Sequence, residues 1–300
     1  MKFTPVKSDT QPRLGNLVYE APANWKISAL AEVNGGVMLG IYDNISRHDS
    51  KIVWNGVSVT YANDEGKFTD VFDAETIGQP LVVGRYAGCA GECGKLIVAL
   101  NGIVMEHKKA TLKWATTCAL FDGAAYVFDS DGKECVAKDC ITGLPAFTMP
   151  GTGIIMAATE FNGLMWAAMA DSDDKKHGVS CSNGKLWRAD SCQCIVNAWG
   201  RLLFTSGNKV SAMDPEGAVF LAELPCEKIM HMVMSGGKLL IAGANPDTAW
   251  MADQNGNLYT IGSFSTGNAK VGGSCFRVRI SGGYFARAWN GVTGMVYEVI

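Results

Sequence analysis

Long apolar runs are missing from this 300-residue sequence. Its longest apolar stretches, "LIVALNGIVM" (96–105) and "IIMAATEFNGLMWAAMA" (154–170), are short or broken by Glu160, Asn162 and glycines. Neither has the ~20 apolar residues of a membrane-spanning helix, so no membrane partner is expected. The leading "MKFTPVKSDTQPRLG" has a lysine but no apolar segment behind it, which is not the pattern of a secretory signal. The expected setting is therefore a cytosol. Basic runs are missing too: none exceeds the pairs Lys108-Lys109 and Lys175-Lys176, and 26 Lys+Arg against 29 Asp+Glu leave a formal charge of −3. A nucleic-acid surface held by phosphate contacts is not expected from such a balance. Helical periodicity is scarce, and the weak pattern at 112–120 contains Thr116 and Thr117, which favour strands.

Catalytic signatures are also lacking. G-x-S-x-G, H-E-x-x-H and G-x-x-x-x-G-K-[ST] do not occur. A sialidase would repeat S-x-D-x-G-x-T-W turns, and only "SDGKEC" (130–135) approaches one. "DSDG" (129–132) and "DSDD" (171–174) cluster carboxylates and invite a calcium reading, but the full ligand ladder is absent: "DSDGKECVAKD" (129–139) lacks the later acidic ligands and the closing glutamate, and turn formation accounts for "DSDG". The four histidines, His48, His107, His177 and His231, share no motif, and His231 in "KIMHMVM" reads as a core residue. Among ten cysteines only Cys89 and Cys93 have a zinc-like spacing, and without a second pair a zinc site is not expected. Cys135 and Cys140 span a turn, Cys192 and Cys194 alternate along an expected strand, and all read as buried free thiols. No catalytic, cofactor-binding or metal-binding residue is assigned, and no cofactor is expected.

What the sequence has in quantity is glycine turns between short apolar runs. In "WGRLLFTSGNKVSAMDPEG" (199–217), Leu202 to Thr205 reads as a strand, Ser206-Gly207-Asn208 as a tight turn and Val210 to Met213 as a second strand. "DPEG" then turns the chain into a third strand from Ala218 to Leu224. The same order recurs. "EVNGGVMLGIYD" (32–43) precedes "IVWNGVSVTYANDEG" (52–66), "EFNGLMWAAMADS" (160–172) precedes "VSCSNGKLWRADS" (179–191), and "VMSGGKLLIAGAN" (233–245) precedes "MADQNGNLYTIGS" (251–263). Asn-Gly and Gly-Gly between apolar runs are strong hairpin signals.

First strands marked near Ile27, Leu81, Leu112, Ile154, Ile195, Ile229 and Phe276 recur every ~41 residues on average, close to the ~40–45 of a four-stranded propeller blade. The expected fold is all-β, a β-propeller of about seven antiparallel blades, or six if residues 81–111 and the stretch from Leu112 form one larger blade. A two-domain β-sandwich fits the strand density but not the period. The last unit offers only three strands, "SCFRVRI" (274–280), "YFARAW" (284–289) and "MVYEVI" (295–300). "NLVYEA" (16–21) is an orphan strand, and it is expected to complete that blade and close the ring. Residues 1–24 would then be an arm with the closing strand and 25–300 the propeller. Of the eight tryptophans, Trp54, Trp166, Trp187, Trp199 and Trp250 sit beside expected strands, where packing between blades uses them.

The phrase at 199–217, with "NGLMWAAMADS" and "NGKLWRADS", resembles propeller-like tail proteins of bacteriophages, in which a Gly-Arg-Leu-aromatic strand runs through a Gly-Asn turn to an Asp-Pro turn. The resemblance implies a rigid, non-catalytic part of a virion tail or particle surface, made in the host cytoplasm and bound to other protein subunits. It covers about a third of the chain in local pieces, and the small size and cysteine content depart from it. Two other readings remain: a cytosolic WD40- or kelch-like scaffold, though the G-H and W-D dipeptides are absent, and a propeller hydrolase or lectin holding carbohydrate, such as a host-surface glycan, at the channel mouth.

Overall fold

In the computed structural model the described residues are 1–7, 12, 14–33, 36–45, 50–54, 57–59, 66–76, 79–88, 94–100, 103–112, 118–130, 134–139, 142–151, 153–170, 177–189, 192–245, 248–261, 276–280 and 283–300, with side chains for a subset of them. Every regular element among them is a β-strand. Two strands lead, β1 (Thr4–Pro5) and β2 (Leu14–Glu20). Blade 1 holds β3 (Trp25–Val33), β4 (Gly36–Asp43), β5 (Ser50–Trp54) and β6 (Val57–Val59). Blade 2 holds β7 (Gly66–Thr76), β8 (Gln79–Gly88), β9 (Gly94–Leu100) and β10 (Ile103–Leu112). Blade 3 holds β11 (Cys118–Phe121), β12 (Ala124–Ser130), β13 (Cys135–Asp139) and β14 (Pro145–Met149). Blade 4 holds β15 (Ile154–Phe161), β16 (Leu164–Ala170), β17 (His177–Cys181) and β18 (Leu186–Ala189).

Blade 5 holds β19 (Ile195–Ala198), β20 (Arg201–Ser206), β21 (Lys209–Asp214) and β22 (Gly217–Glu223), and blade 6 holds β23 (Lys228–Ser235), β24 (Lys238–Ala244), β25 (Thr248–Ala252) and β26 (Asn257–Thr260). Blade 7 has only β27 (Phe276–Ile280), β28 (Gly283–Trp289) and β29 (Gly294–Val299) from the C-terminal end, and β2 is its fourth strand. Within each sheet the neighbours in the chain are neighbours in space, antiparallel throughout the six complete meanders. The fold is an all-β β-propeller, with seven sheets among the described residues. Its blades fall into two compact units, residues 27–192 and residues 1–26 with 193–300.

Five of the seven expected first strands are where the turn grammar put them. Two are corrected. Leu81 lies on β8, the second strand of blade 2, and Leu112 ends β10, the fourth. Blade 2 has strands of 7 to 11 residues, longer than the turn spacing elsewhere implies, and the sequence between β7 and β8, "IG" (77–78), is no strong hairpin signal. The stretch from Leu112 is therefore not a blade of its own, and the next blade begins at Cys118.

A sheet stacked between two others buries both faces, and its strands read as continuous apolar runs. Blade 6 shows why "LLIA" and "AWMA" lack alternation. Leu239, Ile241, Trp250 and Ala252 face blade 5, packing with Leu203, Val210, Ala212 and Leu221. Their neighbours Leu240, Ala242, Ala249 and Met251 pack instead with Ala288, Met295, Tyr297 and Val299 of blade 7. In the other unit, Phe128, Cys135, Ala137 and Met149 of blade 3 meet Ile155, Met165, Ala167 and Met169 of blade 4 in the same manner.

The closing strand binds antiparallel to β29, with Leu14 opposite Val299, Leu17 opposite Tyr297 and Glu20 opposite Met295. Leu14 is fully buried and belongs to the seam between blades 6 and 7. Beyond β2 the chain stays on blade 7: Ala21 N–H donates to Gly294 O at 2.8 Å, Asn24 N–H to Val292 O at 2.8 Å, and the Thr293 hydroxyl to Ala21 O. Leu14→Ala is expected to cost ~2–5 kcal/mol in urea unfolding, the range for truncating a buried leucine. Leu17→Ala on the same strand, where the side chain is exposed, should stay within about 0.5 kcal/mol. Equal effects would mean that β2 is not seated in the seam.

Candidate functional site: the N-terminal arm and the outer strand edges

Cys89, Cys93, Cys140, His48 and the run 171–176 lie outside the described residues, as do Asp131 and Gly132 of "DSDG". His107 and His177 are placed by backbone alone, on β10 and β17, and His231 is half-buried on β23. Among the described residues no three His, Cys, Asp or Glu side chains gather as metal ligands. Cys135, Cys181, Cys192, Cys194 and Cys226 are buried. Cys192 and Cys194 sit just ahead of β19 rather than along a strand, where Thr205 Oγ1 accepts the backbone N–H of Gln193 and of Cys194. Burial pushes the thiol of Cys226 up, and that of Cys181 as well despite the opposing Asn183 N–H and Lys185 ammonium. Neither is poised as a thiolate nucleophile.

The tryptophans of blades 4, 5 and 6 are held in packing contacts. Trp250 is buried in the seam between blades 5 and 6. Trp166 and Trp187 stack on one another within blade 4, centroids 5.2 Å apart at 24°, and Lys185 Nζ lies 5.9 Å from the Trp187 ring centroid. Trp199 sits in the β19–β20 turn at φ +51°, followed by Gly200 at φ +71°. Its indole N–H donates to Gly237 O, in the matching turn of blade 6, at 3.0 Å. Turns at the same place in blades 3 and 4, Asp122-Gly123 and Asn162-Gly163, also have positive φ at both residues, and there the Asp122 N–H donates to Glu160 Oε2 at 3.2 Å.

The first six residues form a site that the sequence did not announce. β1 pairs parallel to β26, with Thr4 opposite Asn257 and Pro5 opposite Leu258. Thr4 and Val6 donate their N–H groups to Gly256 O (2.8 Å) and Leu258 O (2.9 Å). Phe3, facing the other way, donates to Leu221 O on β22 at 3.1 Å. Pro5 lacks an N–H, and alternation puts the missing donor on the side away from β26, where no ladder bond is lost. The Phe3 ring, 6% exposed, closes the seam between blades 5 and 6 and meets Trp199 edge-on at 6.5 Å. The arm thus sets Phe3 into one seam and Leu14 into the next.

The receiving edge is shaped for this. Gly256 has φ +85°, and a Cβ there would overlap the Lys2 carbonyl oxygen and come within 3.2 Å of Met1 Cγ. Asp253 holds the loop: its Oδ1 accepts from Asn255 N (2.9 Å) and Asn257 N (3.0 Å), and its Oδ2 from Asn257 Nδ2 (2.9 Å). Lys238 Nζ stands 4.0 Å from Oδ2. Burying one phenylalanine contributes ~1.5–3 kcal/mol and three backbone hydrogen bonds ~1 kcal/mol each. Ordering six residues costs at least ~6 kcal/mol. The arm is held near balance.

Elsewhere the outer strands expose apolar side chains in adjacent pairs. On β2 these are Leu17 (47% exposed) and Val18 (44%), and on β22 Val219 (42%) and Phe220 (48%). Neighbours along a regularly paired strand point to opposite faces, so both faces of β22 are apolar at Val219 and Phe220, whereas on β2 the register shift between Leu17 and Tyr19 puts Val18 in a bulge. Each is the terminal strand of its sheet. Register shifts within β2 and beside β22 at Val210/Ser211, with Asp214, Glu216 and Glu223 nearby, blunt the edges against indiscriminate pairing.

Two outcomes check this geometry. Burial pushes the Asp253 carboxyl up, but the bonds from Asn257 and Asn255 and the Lys238 charge outweigh it and hold the carboxyl below the ordinary range. As pH falls the unfolded chain therefore takes up the proton first, so the stability contributed is full above about pH 4 and lost below it. Asp253→Asn should be less stable than wild type at pH 7, with the gap closing as acid is added. Trp199→Phe, which keeps the ring but removes the donor to Gly237, should cost ~1 kcal/mol in the same assay.

Neither a protein-family model nor a curated protein matches the chain. Solved structures do. The chain is similar to a streptogramin B lyase, at 11% identity over 98% of this chain and 100% of that one, with TM-score 0.66. It is similar to BBS1N crystallised in complex with ARL6DN (13% identity, 94% and 96% covered, TM-score 0.61) and to the computationally designed Ika8 protein (13%, 94% and 100%, TM-score 0.58). At these identities the likeness is one of fold, and it agrees with the β-propeller that the sheets describe.

Proposed function

We propose that this chain is a non-catalytic structural β-propeller of a bacteriophage particle, a tail or surface component made in the host cytoplasm that joins other protein subunits. The observation that carries the assembly reading is the pairing of exposed apolar residues on terminal strands, Leu17 with Val18 and Val219 with Phe220. At Val219 and Phe220, beside the one bond that Phe3 makes to Leu221 O, β22 is apolar on both faces and offers main-chain hydrogen bonds and side-chain burial to an added strand. BBS1N in complex with ARL6DN gives a precedent for a chain of similar fold holding a protein partner. The particle assignment draws its support from the tail-protein phrase at 199–217 and from the lack of catalytic motifs in the sequence.

The test is mass spectrometry of density-purified particles from a lysate of the source culture. The expected result is this chain in fixed proportion to the capsid proteins. The double variant Val219→Asp, Phe220→Asp should leave thermal unfolding within a few degrees while lowering incorporation at least tenfold, since charges in an apolar contact of ~1,000 Å² or more are costly. Recovery only in the soluble fraction would overturn the particle reading. Full incorporation of the variant would overturn the role of β22.

A further inference from the structure

We propose that the β26 edge and the Phe3 socket form a peptide-binding site that accepts the N-terminal arm of a second copy of this chain as well as its own, so that copies can be joined by arm exchange. The proposal rests on the arm's geometry alone and does not depend on the particle reading. Everything the socket recognises lies within residues 1–6. One aromatic ring is buried between blades 5 and 6, two donors two residues apart meet Gly256 O and Leu258 O, and a third meets Leu221 O. Met1, Lys2, Thr4 and Pro5 stay exposed. The matching ligand is an extended segment carrying an aromatic residue two positions before a proline, and every copy of the chain carries that ligand and its receptor.

The receiving edge also argues for a site built to hold a strand. Gly256 leaves bare backbone where the Lys2 carbonyl passes, and the Asp253 carboxylate fixes the loop that presents it without help from the arm. A receptor organised by its own hydrogen bonds does not need the arm to be covalently its own. Exchange of identical elements between protomers is a low-cost route to association where the element is held near balance.

Two variants that cannot form the contact by themselves test this when mixed. The acceptor lacks residues 1–7 and has an empty socket. The donor is full-length Gly256→Ala, whose own socket is blocked and whose arm is free. Sedimentation velocity should show each alone without arm-mediated association and a 1:1 complex on mixing. Adding Phe3→Ala to the donor should weaken that complex about tenfold or more. Where the truncated acceptor does not fold, full-length Phe3→Ala replaces it, since its own arm has lost the anchor. Folded partners that stay apart up to about 1 mM, or a complex indifferent to Phe3→Ala in the donor, would overturn the proposal.

Discussion

A four-stranded sheet with two apolar faces is stable only between two others, and this chain meets that constraint by period-two burial in the seams. The alternation is clearest in blade 6, where Leu239 and Ile241 go to one neighbour and Leu240 and Ala242 to the other. Few polar side chains lie in the described seams. The composition follows from this: most of the described buried apolar residues belong to the seams, and glycines hold turns such as Asp122-Gly123, Asn162-Gly163 and Gly236-Gly237, which reverse the chain within two residues. A chain that ends with only three strands in its last sheet leaves a seam half-covered. The N-terminal strand supplies the missing strand, and Leu14 reaches further, into the seam between blades 6 and 7.

That dependence gives the first twenty residues an influence out of proportion to their length. β1 lies on blade 6, Phe3 bonds across to blade 5, and β2 completes blade 7, so one short segment laces three consecutive sheets of its unit. Its two strands do so differently. β2 has seven residues, a buried leucine and a following stretch stitched to the β28–β29 turn. β1 has two residues and one buried ring. The energetic contrast between a closing strand and a marginal one is what separates structural closure from a contact that can be traded.

Much of this was legible. The hairpins at 199–217, the strand marks at Ile27, Ile154, Ile195, Ile229 and Phe276, and the pairing of the orphan N-terminal strand with the last blade all follow from turn chemistry and strand counting. Blade 2 departs from the expectation because its strands are long and the sequence between β7 and β8 has no Asn-Gly, leaving period as the only guide. β1 was invisible for a different reason. Two residues, one of them proline, have no strand signal, and their pairing is decided by Gly256, more than two hundred residues away, whose "NGN" context reads as an ordinary turn. The only local hint was an isolated phenylalanine in a polar leader. The outer-edge pairs were likewise hidden, because Val219 and Phe220 look in sequence like any core strand, and exposure depends on which strand comes last in its sheet.

Trp199 shows how local and global preferences are reconciled here. The matching turns carry Asp122, Asn162 and Gly236 at that position, residues that tolerate positive φ, whereas a bulky aromatic there costs ~1–3 kcal/mol of backbone strain. Local preference alone would replace it. What holds it is a set of contacts available to no smaller residue: the indole donates to the Gly237 carbonyl of the neighbouring turn, its ring packs on the blade 5–6 seam, and its edge meets Phe3. Asn or Gly would relax the turn and leave the Phe3 ring without its edge-on partner. The strain in one turn is therefore set against the seating of the arm, and the place where the sequence breaks its own turn rule is the place where the N-terminus enters the seam.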